Sequence, residues 1–325
     1  MSFNPNDFFP YNEIRQVKVD GQDMVRIPRV YVKNVVLEDG PFRGKPAYYM
    51  SKTPAKGYHI HPAFMNGGSA ATALDLSCYE ASHDVRNGNK PASVPTGSYW
   101  EGVNRGQAIE FATRRNVSGG TVEQTGWHCW DIYCQSLLAR LMLFEYGTTG
   151  YAFPDNGSPE YVYRGIHQPA GNPMRPTWLP GVGNVSGKMY IYDANGSGAL
   201  INTGLTCPGK GWPTHFSMLK GESFDLGDVF IADAVTNNEH EGTCSDYQYL
   251  TNENVVEETY FTGYRGNWTA MPPNGHGMFC LMQHPVSGGH NNVPITCVYA
   301  ASRDKDGVGP IDGLLRFRLA RYVMG

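Results

Sequence analysis

GWHCWDIYCQSLLARLMLFEYG, residues 126–147, is the stretch whose reading decides the fold. Trp127, Trp130, Ile132, Tyr133, Leu137, Leu138, Leu141, Leu143 and Phe144 place apolar side chains on nearly every side of a helix. A helix that is apolar all round is a buried one. Leu, Ala, Arg and Met favour the helical state, and Gly147 stands where a left-handed C-terminal cap is expected. Asp131 falls in the first turn, where the helix dipole favours a negative charge. About twenty residues could span a bilayer. His128, Asp131, Arg140 and Glu145 argue instead for the central helix of a water-soluble fold, with Arg140 and Glu145 needing partners if buried.

Upstream, RGQAIEFATRRN reads as a shorter helix capped by Asn104, with Ala108, Ile109, Phe111 and Ala112 on its apolar face. Before it, LDLSCYEAS reads as a strand between turn-rich loops. MVRIPRVYVKNVVL (24–37) is dense in β-branched residues, with Pro28 marking a bulge or sheet edge, and residues 47–51 can pair with it as a hairpin. Residues 1–23 are polar and read as an N-terminal arm or edge segment.

Downstream, residues 148–325 show strands between Gly-, Asn- and Pro-rich turns: 188–193, 223–233, 247–250, 258–264, 277–284, 295–301 and 314–323. Strand, two helices and a run of strands make an α+β arrangement, with the helices on one side of a twisted antiparallel sheet. Residues 24–325 read as a single domain with long ordered loop insertions, and such loops usually carry function.

Composition limits the function. Charged residues make up 17% of the 325, below the roughly 25% of an average protein. The net charge of -4 offers no basic footprint for nucleic acid. The start, MSFNPNDFFPYNEI, lacks the basic and apolar regions of a secretory signal, so none is expected, nor any membrane insertion. Seven cysteines without CxxC spacing read as reduced, mostly buried thiols.

Five motifs occur in order: VRIPRVYVKN (25–34), HPAF (61–64), SCYEASHD (77–84), LMLFEYGT (141–148) and LLRFRLAR (314–321). Together they resemble bacteriophage tail and tail-fibre proteins with a C-type-lectin-like fold. The chain is more distantly similar to retroelement-diversified variable proteins and to the formylglycine-generating-enzyme superfamily. The resemblance implies adjacent N- and C-terminal strands, two helices packed on the sheet, and a binding surface on the loops between the last strands. Within the last strand, Leu315, Phe317 and Leu319 are expected to face the core, with Arg316, Arg318 and Ala320 facing out.

The loop residues that best suit a contact surface are Tyr264, Trp268, His284, His290, Asn292, Tyr299, Ser302, Arg303, Asp304 and Asp306. Aromatics with polar handles, Arg and Asn build rigid yet adaptable surfaces and suit sugar rings. Residues 299–306 correspond to where the resembling binders display variable residues. This implies a virion protein at the tail fibre or tail tip, made in the bacterial cytoplasm and assembled as a homotrimer. Its expected partners are a host cell-surface receptor, glycan or protein, and other phage tail or virion proteins docking on residues 2–23.

Two other readings stay beside it. One is a structural decoration or baseplate subunit of the virion. The other is a metalloenzyme of the formylglycine-generating type, whose two close C-terminal cysteines would have to be Cys280 and Cys297; both sit in apolar runs and read as core thiols. No GxSxG, HExxH or phosphate loop occurs, and no catalytic residue or cofactor is assigned. His59 and His61 could share a strand face and bind a transition metal, but read better as hydrogen-bonded histidines before a Pro turn. Asn238–Glu241 reads as solvated. The Glu-Pro-Asn and Trp-Asn-Asp triplets of calcium-dependent lectins are absent, Asn267-Trp268 being reversed, while another kind of calcium site stays open. No metal ligand set is assigned.

Overall fold

The computed structural model describes residues 4–36, 38–39, 43, 46–95, 98–103, 105–146, 162–169, 177–185, 188–206, 214–216, 264–266, 280–283, 298–301 and 316–325. Its centre is a five-stranded antiparallel sheet in the order Arg15–Val19, Gln22–Pro28, Ala73–Glu80, Arg318–Val323, Trp127–Cys129. Among the described residues two α-helices, Arg105–Thr113 and Ile132–Tyr146, and several smaller antiparallel sheets join it in a mixed α+β fold.

The helix expected from residue 126 begins only at Ile132. Gly126 takes φ +80, and a Cβ there would lie 2.5 Å from the Tyr322 carbonyl oxygen, so the chain enters the sheet pressed against the last strand. Asn116 then clamps Trp127 through both main-chain groups, at 2.9 and 2.8 Å. Trp127, His128 and Cys129 pair with Arg321, Ala320 and Leu319. Strand pairing overrides the helical propensity of this segment. Asp131 then starts the helix: its Oδ1 accepts the N–H groups of Tyr133 and Cys134, both at 2.9 Å, satisfying donors that have no partner within the helix. Ile132, Leu137, Leu138, Leu141 and Met142 are all fully buried. At about 1.5–3 kcal/mol for each large apolar side chain removed from water, this helix is a principal source of core stability.

The two helices lie on opposite faces of the sheet, not on one side as the sequence suggested. Ala108 and Ala112 of the first helix pack with Met24, Trp127, Cys129, Phe317 and Leu319. Leu137, Leu138 and Leu141 of the second pack with Val25, Ile27, Leu74, Leu76 and Ala320. Both sets of alternate strand positions are therefore covered, because Gln22–Pro28 and Ala73–Glu80 carry apolar residues at odd and even positions alike.

The expected outward face of the last strand is also buried. Arg316, Arg318 and Ala320 are enclosed along with Phe317 and Leu319. The arginines tolerate burial because each finds oxygen partners. Two main-chain carbonyls, those of His167 and Gln168, accept from Arg318, whose guanidinium lies 5.4 Å over the Trp130 ring.

The terminal strands share the sheet but are not neighbours; Ala73–Glu80 lies between them. Register gives the reason. Asp75 sits directly opposite Arg26 on one side and Arg321 on the other. Its fully buried carboxylate accepts from Arg26 at 2.7 and 2.9 Å and from Arg321 at 2.6 Å. This strand order compensates the buried carboxylate with two guanidiniums, one from each neighbouring strand.

Residues 15–19 supply the edge strand of the same sheet, joined to Gln22–Pro28 through Asp20 and Gly21 at φ 46 and 78. Both positive angles belong to a two-residue hairpin turn. Tyr11, also in the first 23 residues, is buried and donates its hydroxyl to the Leu141 carbonyl at 2.7 Å. Pro28 ends its strand, and Tyr31–Val36 leaves to pair with Pro46–Ser51 in the expected hairpin.

Candidate functional site

The chain's second half supplies further small sheets. Thr177–Leu179, Cys280–Gln283 and Val298–Ala301 form one, in which Trp178, Met282 and Tyr299 occupy a single cross-strand row. Tyr264–Gly266 pairs with Thr214–Phe216, and its backbone runs beside Val298–Ala301. The structure thus brings the backbone segments of Tyr264 and Tyr299 together. Trp268, His284, His290, Asn292, Ser302, Arg303, Asp304 and Asp306 lie outside the described residues, as do the expected strands 223–233 and 247–250. The strands expected around 188–193, 277–284 and 295–301 are found as Lys188–Tyr192, Cys280–Gln283 and Val298–Ala301.

One buried group joins this half to the central sheet. Glu80, the last residue of the Ala73–Glu80 strand, is 4% exposed. Its Oε1 accepts the Thr177 hydroxyl at 2.9 Å, and its Oε2 accepts from the Arg316 guanidinium at 2.6 Å. Thr177 and Arg316 also meet through a parallel backbone bridge. Arg316 further donates to Glu101 and lies 3.9 Å over the Tyr99 ring. Glu101 and Tyr99 are each 37% exposed, so the cluster runs from a dry carboxylate to a wet rim. Sequence reasoning missed this cluster because it assigned Arg316 to the solvent face; the signal available was the acidic end of LDLSCYE.

A second polar group lies at the start of the long helix. His128 stacks flat on Tyr322, with centroids 4.0 Å apart, and its Nδ1 is 3.0 Å from the Gly126 carbonyl oxygen. Nδ1 therefore carries the proton, leaving Nε2, 4.0 Å from Cys134 Sγ, as an acceptor. Burial lowers the pKa of His128, against the opposing charge of Asp131. Burial likewise raises those of Asp131 and Cys134, holding the thiol protonated. Imidazole, thiol and carboxylate meet here, but Asp131 caps the helix rather than orienting the imidazole, so this is a joint between sheet and helix, not a nucleophile-activating relay.

Other groups singled out in the sequence also have structural partners. His61 is buried, and its Nδ1 accepts the Ala63 N–H at 3.2 Å, capping the turn Pro62–Phe64. His59 lies on the short strand His59–Ile60. At the end of the SCYEASHD motif, Ser82 donates to the Ala92 carbonyl, His83 bonds Asn89 and stacks on Trp100, and Asp84 faces Asn87 and Arg115. Glu145 is paired with Arg164 at 2.7 Å and with the Tyr163 hydroxyl at 2.8 Å, so its partner is not on its own helix. Cys78, Cys129 and Cys134 are buried thiols outside any disulfide, and burial pushes Cys78 up to about 12. Cys280 stands on a strand of the second half, while Cys297 lies outside the described residues.

Among the described residues no group of three or more His, Cys, Asp or Glu side chains is placed to hold a metal ion, and no helix is long and apolar enough to cross a membrane. No protein-family model matches the chain, and no curated protein matches it.

Proposed function

We propose that this chain is a bacteriophage virion protein of the tail-fibre or tail-tip kind, with a C-type-lectin-like fold. In this reading it attaches to a host-surface glycan or protein through its C-terminal loops, and it is a binding protein without a cofactor. One observation carries the reading: the five resembling motifs all fall on the framework. VRIPRVYVKN runs through Gln22–Pro28 into Tyr31–Val36, HPAF forms the buried turn at Pro62–Phe64, and SCYEASHD spans the end of the 73–80 strand and Ser82–Asp84. LMLFEYGT ends the long helix, and LLRFRLAR leads into the last strand. The resemblance is thus carried by scaffold, which leaves the aromatic, Asn-rich second half to differ from one protein to another and to choose the receptor.

Homotrimer formation and docking of residues 2–23 onto other tail proteins belong to the same proposal. The burial of Pro10 and Tyr11 removes those two residues from that docking surface, while Arg15 and Gln16 stay exposed on the edge strand.

The test is binding of the labelled full-length chain to a panel of intact bacteria. Wild-type protein binds a subset of strains, whereas Tyr299→Ala and Trp268→Ala lose at least about tenfold in affinity, as aromatic contact residues do. A chain that binds no strain, or loop variants that bind unchanged, contradicts the proposal. A chain that enters particles yet binds no cell supports the structural-subunit alternative.

A further inference from the structure

We infer that Glu80 is a positioning residue for the receptor-binding strands: a two-pronged clasp that fixes the second half of the chain against the central sheet. The inference rests on the receptor-binding reading, because it concerns how that surface is held.

A carboxylate has two oxygens, and here each holds a different end of the chain's long excursion. Oε1 holds Thr177, the first residue of the strand that pairs with Cys280–Gln283, which in turn pairs with Val298–Ala301. Oε2 holds Arg316, just before the last strand of the central sheet. The route from Glu80 to Tyr299 is therefore short: one hydroxyl, then two strand pairings. Thr177 is fully buried and Arg316 is 7% exposed, so water cannot replace either bond without opening the junction.

The geometry also sets what substitutes for what. Serine at 177 keeps the hydroxyl, whereas valine keeps the shape and removes it. The ion pair with Arg316 survives both changes, so the central sheet keeps its last strand.

Hydrogen exchange on the full chain tests the clasp. Thr177→Val is expected to speed exchange in 177–179, 280–283 and 298–301 by about tenfold, the effect of one lost buried hydrogen bond. Exchange in Gln22–Pro28 and Ala73–Glu80 stays unchanged, and Thr177→Ser restores the wild-type pattern. In parallel, Thr177→Val weakens binding of the labelled chain to intact bacteria, and Thr177→Ser rescues it. Unchanged exchange in 280–283 and 298–301 overturns the inference, as does an equal rise in the central sheet. If Tyr299→Ala binds cells like wild type, the receptor reading fails, and the exchange pattern still decides the clasp on its own.

Discussion

Two buried carboxylates on one strand, five residues apart, do opposite kinds of work. Asp75 looks sideways within the sheet, between Arg26 and Arg321, and holds three strands in order. Glu80 looks outward, between Thr177 and Arg316, and holds the sheet to the second half of the chain. The difference lies in position along the strand. Asp75 is flanked by paired strands on both sides, whereas Glu80 stands at the strand's end, where the pairing with the last strand shifts register between Arg318 and Ala320. Loss of the first should unfold the domain, and loss of the second should loosen it at one place.

The largest expected effect is therefore at Asp75. Asp75→Ala leaves Arg321, 2% exposed, and Arg26 without their carboxylate, and is expected to cost about 3–5 kcal/mol in urea unfolding. A loss below about 1 kcal/mol would remove the argument for strand order. Glu80→Ala comes next, at about 2 kcal/mol, because Arg316 keeps Glu101 and only Thr177 is orphaned. Limited proteolysis should then cut the second half before the central sheet; simultaneous cutting of both would erase the distinction between the two carboxylates.

A smaller effect separates the charged staples from the neutral joint at His128. The folded protein binds a proton at His128 less readily than the unfolded chain, whose ordinary value is 6.5. Between those two values the unfolded state holds more protons, so stability is complete above pH 6.5 and falls as pH drops through that window. The slope is about 1.4 kcal/mol per pH unit at most, and His128→Gln removes this contribution. Asp131, raised from 3.8, works in the opposite sense, its contribution falling as pH rises above that value. A pH dependence below 6.5 that His128→Gln leaves unchanged would contradict the assignment. The smallest effect is at the exposed pair Lys52–Glu13, where Lys52→Ala should change stability by less than about 0.5 kcal/mol, a control for the buried sites.

Much of the framework was legible in the sequence. The all-apolar stretch after Asp131 is the buried helix, LDLSCYE is a central strand, and the hairpin of 31–36 with 46–51 follows from its β-branched residues. Other features were misread because period-2 and period-3.6 patterns report which residues are apolar, not what covers the polar ones or which distant strand pairs with them. Arg316 and Arg318 alternate with Phe317 and Leu319 as a solvent-facing row would, yet carboxylates and carbonyls from distant segments bury them. Trp127–Cys129 has helical neighbours but a strand partner more than 180 residues away. Asp20-Gly21, a two-residue hairpin signature, ties Arg15–Val19 to the sheet as its edge strand, one of the two roles, arm or edge segment, expected of residues 1–23. The candidate binding residues were legible only as composition, since nothing in spacing links Tyr264 to Tyr299 before the strands are seen side by side.

The division between a stapled scaffold and the second half proposed to bind the receptor is tested most directly by hydrogen exchange of the full chain mixed with intact cells of a strain to which it binds. The account predicts new protection confined to residues 264–306, with the strands Gln22–Pro28 and Ala73–Glu80 exchanging as in the free protein. Protection appearing first on the central sheet, with 264–306 unchanged, would contradict it.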